Sequence, residues 1–263
     1  MRTVGISAAE RRGEAMATAS LRNAVDAVRR DGYVVLLGAV DRTAIDTLRA
    51  AMDERVEVQR AAAPNVRRLQ CPPPSAPALV DRAIVANPFV AQVSRAILGP
   101  RPYNNLYSTD VNCPGSAAQR LHVDAAQLWP ALSQAHPAAS LMINIPLVET
   151  TDRNGSTELW PGTHTDTRTD VFIADAAAEG RRAVTPPLRA NVPAGSVIVR
   201  DARLWHRGMP NTSPAVRTVV TMMHHVFWLE RGAPMLFPRG CEAAFTSNDL
   251  IAHVRFTETA RNH

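Results

Sequence analysis

The chain has 263 residues, a length that suits two small domains or one large barrel or sandwich. Hydrophobic residues make up 46% and charged residues 20%, which excludes a disordered or fibrous chain, and a chain this long needs no disulfide or metal staple to hold a core. Twenty-nine basic residues, all arginine, against twenty-four acidic ones leave +5, but they fall in scattered pairs such as Arg29-Arg30, Arg67-Arg68 and Arg181-Arg182, which argues against a nucleic-acid track.

The stretch Met1–Met16 has no apolar core of the kind a secretory signal carries. No later window approaches the roughly 18 apolar residues of a membrane span, so a soluble cytoplasmic chain is expected. From Ala19 to Arg30 the residues Leu21, Ala24, Val25 and Val28 recur at helical spacing, and Asp31-Gly32 supplies a stop. Tyr33–Leu37 is a short apolar run of strand type. Asp41 stands where an N-cap belongs for a second helix reaching about Arg60, with Ile45, Leu48, Met52 and Val56 on one face. Residues 61–78 carry Pro64, Pro72, Pro73, Pro74 and Pro77 and read as a stiff loop, either a surface connector or a binding segment. A third helix, Pro88 to Leu98, ends at Gly99-Pro100.

Beyond Arg101 the texture changes to short β-type runs: Tyr103–Val111, Leu121–Asp124, Leu141–Leu147, Ser156–Trp160, Ser196–Asp201 and Arg217–Trp228. Turn signals such as Asn154-Gly155 and Pro161-Gly162 separate them. Many strands behind helices predict one domain, a β-sandwich or jelly roll with helices on one face. Its parts are a helical front over 19–100, a barrel core over about 101–230 and a C-terminal extension over 231–263. Cys71, Cys113 and Cys241 are odd in number and far apart, which suits reduced thiols in a cytosol.

Leu121-His122-Val123-Asp124 is the sharpest local feature. On a strand, alternate side chains share a face, so His122 and Asp124 project together and can take adjacent positions on one metal. A third ligand is needed, and His206 is the best candidate. Two histidines and a carboxylate with three positions open make the facial triad of non-heme Fe(II) oxygenases, although the short motif alone also fits an ordinary histidine. Arg217 adds weight. It follows His206 by eleven residues across the turn Met209–Pro214, which predicts a neighbouring strand and a guanidinium fork free to grip a carboxylate. 2-Oxoglutarate requires that combination: its oxo-acid end chelates iron and its distal carboxylate needs a cation. The alternative for Arg217 is a surface ion pair, which its place at the head of an apolar strand disfavours.

The chain resembles the phytanoyl-CoA dioxygenase group of Fe(II)/2-oxoglutarate oxygenases over roughly residues 28–230. The resemblance runs through Gly32–Leu36, Ile97–Pro100, His122–Ala125, Ile145–Leu147, Asn154–Ser156, Trp160–His164, Pro193–Val197, His206–Asn211 and Arg217, in matching order. It implies a double-stranded β-helix of the jelly-roll or cupin type, supported by N-terminal helices. It also implies Fe(II) held by His122, Asp124 and His206, with Arg217 on 2-oxoglutarate. One departure stands out. The family often carries a hydroxyl residue two after the distal histidine, and here that place is Gly208. The second contact to 2-oxoglutarate then falls to Asn144, Asn105 or Tyr107, each of which could instead satisfy nearby backbone. Related halogenases replace the carboxylate ligand with a small residue, so Asp124 favours hydroxylation, desaturation or ring closure.

Counting by two from Arg217 puts Val219, Thr221, Met223 and His225 on the interior face, where His225 either reaches substrate or is a satisfied core histidine. Gln127 and Trp129 should lie near the mouth, Trp129 as a substrate wall or as edge packing. The expected function is O2-dependent oxidation of an unactivated C–H of a small molecule, in bacterial natural-product biosynthesis, with no nucleic-acid or membrane partner. The alternatives are a hydroxylase of an acyl thioester, amino acid or macromolecule on the same barrel, or a metal-free barrel acting as a binding protein.

Overall fold

The computed structural model describes residues 1–167 and 170–258. Its first half comprises β1 (Thr3–Gly5), α1 (Ala8–Gly13), α2 (Thr18–Asp31), β2 (Tyr33–Leu37), α3 (Arg42–Ala62), β3 (Arg68–Cys71), α4 (Arg82–Val85) and α5 (Pro88–Leu98). Then come β4 (Tyr103–Asn112), β5 (Ser140–Pro146), β6 (Thr157–Leu159), α6 (Asp175–Val184), β7 (Leu188–Arg189), β8 (Val197–Asp201), β9 (His206–Gly208) and β10 (Arg217–His225). The C-terminal extension adds β11 (Met235–Pro238), β12 (Ile251–Ala252) and β13 (Val254–Thr257).

Strand parity builds the barrel. The large sheet runs β1-β2-β8-β5-β10-β4-β12, with β3 on the edge of β4. Along β5, Leu141, Ile143 and Ile145 are fully buried in the core, while Met142, Asn144 and Pro146 line a cavity on the opposite face. The core face packs on α2, α3 and α5 through residues such as Val28, Ile45, Leu48, Met52, Phe89 and Val93. Each such side chain contributes about 1.5–3 kcal/mol by leaving water. Helix α2 stops at Gly32, whose φ of 83° lets its N–H reach Val28 O. The cavity face is covered by a smaller antiparallel sheet, β7-β6-β9. Leu121, Val123, Trp160 and Trp205 cluster beside that sheet. Two sheets enclosing a cavity, with helices on one outer face, make the expected jelly roll.

Four expectations need correcting. Leu121–Asp124 is not a strand; only His122 bridges, to His206 and Phe172. The proline-rich stretch is not all loop, since β3 pairs with β4 inside it. The helical front and barrel interleave, because β1, β2 and β3 belong to the large sheet. Asp41 occupies the N-cap position with extended backbone, yet its side chain makes no capping bond. No helix among the described residues is long and apolar enough to cross a membrane.

Candidate active site

The cavity between the sheets has a volume of about 320 Å³. His206 opens β9, and its backbone exchanges two hydrogen bonds with His122: His122 N to His206 O at 3.1 Å, and His206 N to His122 O at 2.9 Å. The exchange brings the two rings to 4.3 Å between centroids. Asp124 is fixed two residues on, where its N–H donates to Ala202 O at 2.9 Å. One ligand atom from each of His122, Asp124 and His206 lies within 4.8 Å of the others.

Second partners settle what those atoms offer. Nδ1 of His122 is 2.8 Å from Arg120 O, and Nδ1 of His206 is 3.0 Å from Leu204 O. A carbonyl only accepts, so each Nδ1 carries a proton and leaves Nε2 as the ring atom for a metal, while Arg200 Nη1 also stands 3.3 Å from the Nδ1 of His206. Burial, and then the charge of Arg200, pushes His206 down to about 3, which keeps the ring neutral. Burial pushes Asp124 up, but Arg200 and then His206 overcome it and hold the carboxyl at about 2. Arg200 Nη1 stands 2.5 Å from Asp124 Oδ2, and His206 Nε2 lies 3.4 Å from the same oxygen. Two imidazole nitrogens and one anionic oxygen on converging side chains fit a divalent iron with open positions.

The opposite wall belongs to the large sheet. Arg217 is 1% exposed and donates Nη2 to Asp110 Oδ2 at 3.1 Å. Its Nε is buried without a partner, a donor that fits an incoming carboxylate. Asn144 also faces the cavity, donating to Thr221 Oγ1 at 3.2 Å and accepting from Arg200 Nε at 3.1 Å. One relation differs from expectation. Arg217 is not beside His206 in a sheet, because β9 pairs with β6 while β10 pairs with β4 and β5. The turn between them crosses from one sheet to the other, so the two residues face each other across the cavity.

A family model described as phytanoyl-CoA dioxygenase (PhyH) matches residues 28–219. The chain belongs to the phytanoyl-CoA dioxygenase family. That family is one of Fe(II)- and 2-oxoglutarate-dependent dioxygenases, the chemistry for which the His-Asp-His cluster and Arg217 are suited. A relative from Aspergillus aculeatus, "Dioxygenase aneA", is 24% identical over 204 residues. The match covers 71% of this chain and 65% of that protein, so the chain spans less than two thirds of its length. The 2-oxoglutarate-dependent carbocyclase SnoK from nogalamycin biosynthesis shares the fold at a TM-score of 0.60 and 20% identity, covering 80% of this chain and 84% of that one. EctD from S. alaskensis, solved with 2-oxoglutarate and 5-hydroxyectoine, also gives 0.60 at 20% identity, over 80% of this chain and 76% of that one.

Other residues singled out from the sequence of this family member sit elsewhere. Tyr107 turns to the opposite face of β4, into the core, where its ring lies 5.9 Å from Phe237. Asn105 donates to Arg231 O at 3.2 Å and meets His225 Nε2 at 2.9 Å. His225 also bonds Ser140 Oγ at 2.8 Å and stacks on Tyr103, so its ring is engaged at the end of the barrel that the C-terminal segment closes. Gln127 accepts from Arg203 Nη1 at 3.1 Å and donates to Asp166 O at 2.9 Å. Trp129 is half exposed, edge-on to His136 and near Trp228. None of these five lines the cavity. Arg200 and Asp110, which do, were missed, although Arg200, a charge following the apolar run Val197–Val199, is a readable signal.

Proposed function

We propose that this chain is an Fe(II)- and 2-oxoglutarate-dependent dioxygenase that oxidises an unactivated C–H of a small molecule by hydroxylation, desaturation or ring closure. The observation that supports this most is a single cavity with His122, Asp124 and His206 on one wall and Arg217 on the other. In this reading the three side chains hold iron through two Nε2 atoms and a carboxylate oxygen. Bound there with 2-oxoglutarate and O2, the metal supplies the oxidising power that removes hydrogen from carbon, with succinate and CO2 as co-products. Arg217 takes the distal carboxylate of 2-oxoglutarate. Arg200 holds Asp124 through Oδ2, the oxygen that also lies 3.4 Å from His206 Nε2, and so fixes the carboxylate beside the histidines. Asn144 ties Arg200 to Thr221 and keeps both side chains in register.

Leu106, Met142 and Met223 form an apolar part of the wall, which excludes water and suits an unactivated C–H. At about 320 Å³ the cavity is near the lower end of ligand sites, roughly 300–1,000 Å³, which suits a compact substrate. The likeness to a carbocyclase of nogalamycin biosynthesis supports a role in natural-product biosynthesis. Three free, buried cysteines favour a reducing compartment such as the cytoplasm. One hydrophobic cluster reaching from Ile6 to Phe245 favours a single domain.

The test is an anaerobic titration with Fe(II) and 2-oxoglutarate, followed by the visible charge-transfer absorption of the chelate. A saturable band that disappears in Asp124→Ala is expected. No band in the wild type would overturn the reading in favour of a metal-free binding protein, and full substrate-dependent succinate formation by Asp124→Ala would remove Asp124 as a ligand.

A further inference from the structure

Strand β3 places Arg68 in register with Arg217, one row beyond Gln70, which lines the cavity. Arg217, Asn112 and Arg68 lie directly opposite one another across β10, β4 and β3, so their side chains leave the sheet on one face. The next row on that face is Val219, Asp110 and Gln70, and all three line the cavity. Arg68 therefore faces inward beside the residues that make the anion wall.

Its guanidinium is only half used. Nη2 donates to Ala117 O and Met209 O, at 3.0 Å each, while Nη1 is buried and has no hydrogen-bond partner. No carboxylate among the described residues lies within ion-pairing distance of it. Gly208 makes room for Nη1. A Cβ on Gly208 would stand 2.5 Å from Nη1 and 2.7 Å from Gln119 Oε1, so a side chain there would push the end of Arg68 or Gln119 aside. Gly208 follows His206 by two on β9, so Nη1 occupies the place of a side chain that would point where His206 points.

Charge counting gives the second argument. Asp110 already pairs with Arg217 at 3.1 Å, and those two charges cancel. A dicarboxylate arriving at Arg217 alone would meet a neutral pair and a repelling carboxylate. Arg68 raises the wall to a net single positive charge, which the distal carboxylate then neutralises. The three groups do sense one another: burial pushes Arg68 down, the charge of Asp110 draws it back up, and that of Arg217 opposes.

We propose that Arg68 is a second binding residue for the distal carboxylate of 2-oxoglutarate, forming with Arg217 a two-guanidinium clamp in the space that Gly208 leaves. The proposal rests on the co-substrate reading above. It is tested by anaerobic titration of the Fe(II)-loaded protein with 2-oxoglutarate and with pyruvate, which keeps the chelating head but has no distal carboxylate. Arg68→Ala is expected to weaken 2-oxoglutarate roughly 10- to 100-fold, as for a lost charge-assisted hydrogen bond, and to leave pyruvate unchanged. Gly208→Ser, which keeps Arg68 but crowds it, should also weaken 2-oxoglutarate. In the Arg68→Ala background the same serine has room, and it should restore part of the affinity. Equal losses for both acids, or an unchanged 2-oxoglutarate affinity in both single variants, would overturn the role of Arg68. A wild-type protein that gives no band with either acid would instead overturn the co-substrate reading itself. Should Arg68→Ala fail to fold, Gly208→Ser and Arg68→Lys carry the same test, the lysine keeping charge while losing the fork.

Discussion

The two walls of the cavity are built in different ways. The large-sheet wall rests on long ladders: β4 runs for 10 residues and β10 for 9, so Arg217, Val219, Thr221 and Met223 reach the cavity by parity alone. The small-sheet wall uses strands of 2 or 3 residues; His206 sits on one of them, while His122 and Asp124 reach it from a loop held by a few backbone bonds. A ladder shares a local insult over many bonds, whereas a loop loses its geometry with one contact. The anion side should therefore tolerate change in its frame, and the metal side should not.

The largest expected effect falls on the loop side. Asp201 and Arg203 form a buried pair at 2.7 Å, and Arg203 also holds His136 O at 2.8 Å. Arg203→Ala leaves Asp201 buried without its partner and should cost about 3–5 kcal/mol, read by urea denaturation, and Fe(II) affinity should fall with it. Retained Fe(II) binding at full strength would show that the loops are sturdier than their bonds suggest. Next comes Arg217→Ala on the ladder side. It should weaken 2-oxoglutarate by about 2–5 kcal/mol in an anaerobic titration while Fe(II) affinity holds, so the two walls separate. Loss of both would break the distinction.

A smaller effect is expected away from both walls, at the capping box of α1, where Ser7 and Glu10 bond reciprocally. Ser7→Ala should cost about 1 kcal/mol by thermal denaturation. Hydrogen bonds to Ser7, and then to the Ala17 backbone, hold the Glu10 carboxyl down at about 2. With a folded value below the ordinary one, this contribution is complete at neutral pH and fades as pH falls from the ordinary carboxylate range toward 2. The gap between wild type and Glu10→Ala should close in that acid window. The smallest effect is Tyr107→Phe. Its buried hydroxyl has no partner, so removing it should leave stability equal or raise it by up to about 1 kcal/mol, with 2-oxoglutarate affinity unchanged. A loss of that affinity would put Tyr107 back at the site.

The contrast between walls also explains what could be read from the sequence. Strand β2 and helix α5 follow from local pattern, since Tyr33–Leu37 is continuously apolar and Asn87-Pro88 opens a helix that Gly99 ends. The candidate ligands His122, Asp124 and His206 were legible as residue types at a spacing, although the strand assumed beneath the first two is a loop. Strand β3 was hidden because prolines flank it and it pairs on one side only, as edge strands do. Helix α6 is built mostly of alanines and charged residues and buries none of them fully, so its apolar face is only a run of alanines, with no large side chain to mark it. Arg200, Asp110 and Arg68 matter through partners 76 to 149 positions away in sequence (Asp124 is 76 from Arg200, Asp110 is 107 from Arg217, and Arg217 is 149 from Arg68), beyond the reach of any local pattern.

Because the His-Asp-His cluster gathers at the small sheet, on β9 and the loop beside it, and Arg217 stands on the other sheet, the span between them is set by how the two walls pack, not by any strand alone. Under the proposed chemistry that span acts as a length gauge for 2-oxo diacids. Oxaloacetate, one carbon shorter, would fall short of the guanidinium, and 2-oxoadipate, one longer, would have to buckle. Side-chain changes can retune the charge of the far wall, but selection by chain length belongs to the distance between the sheets.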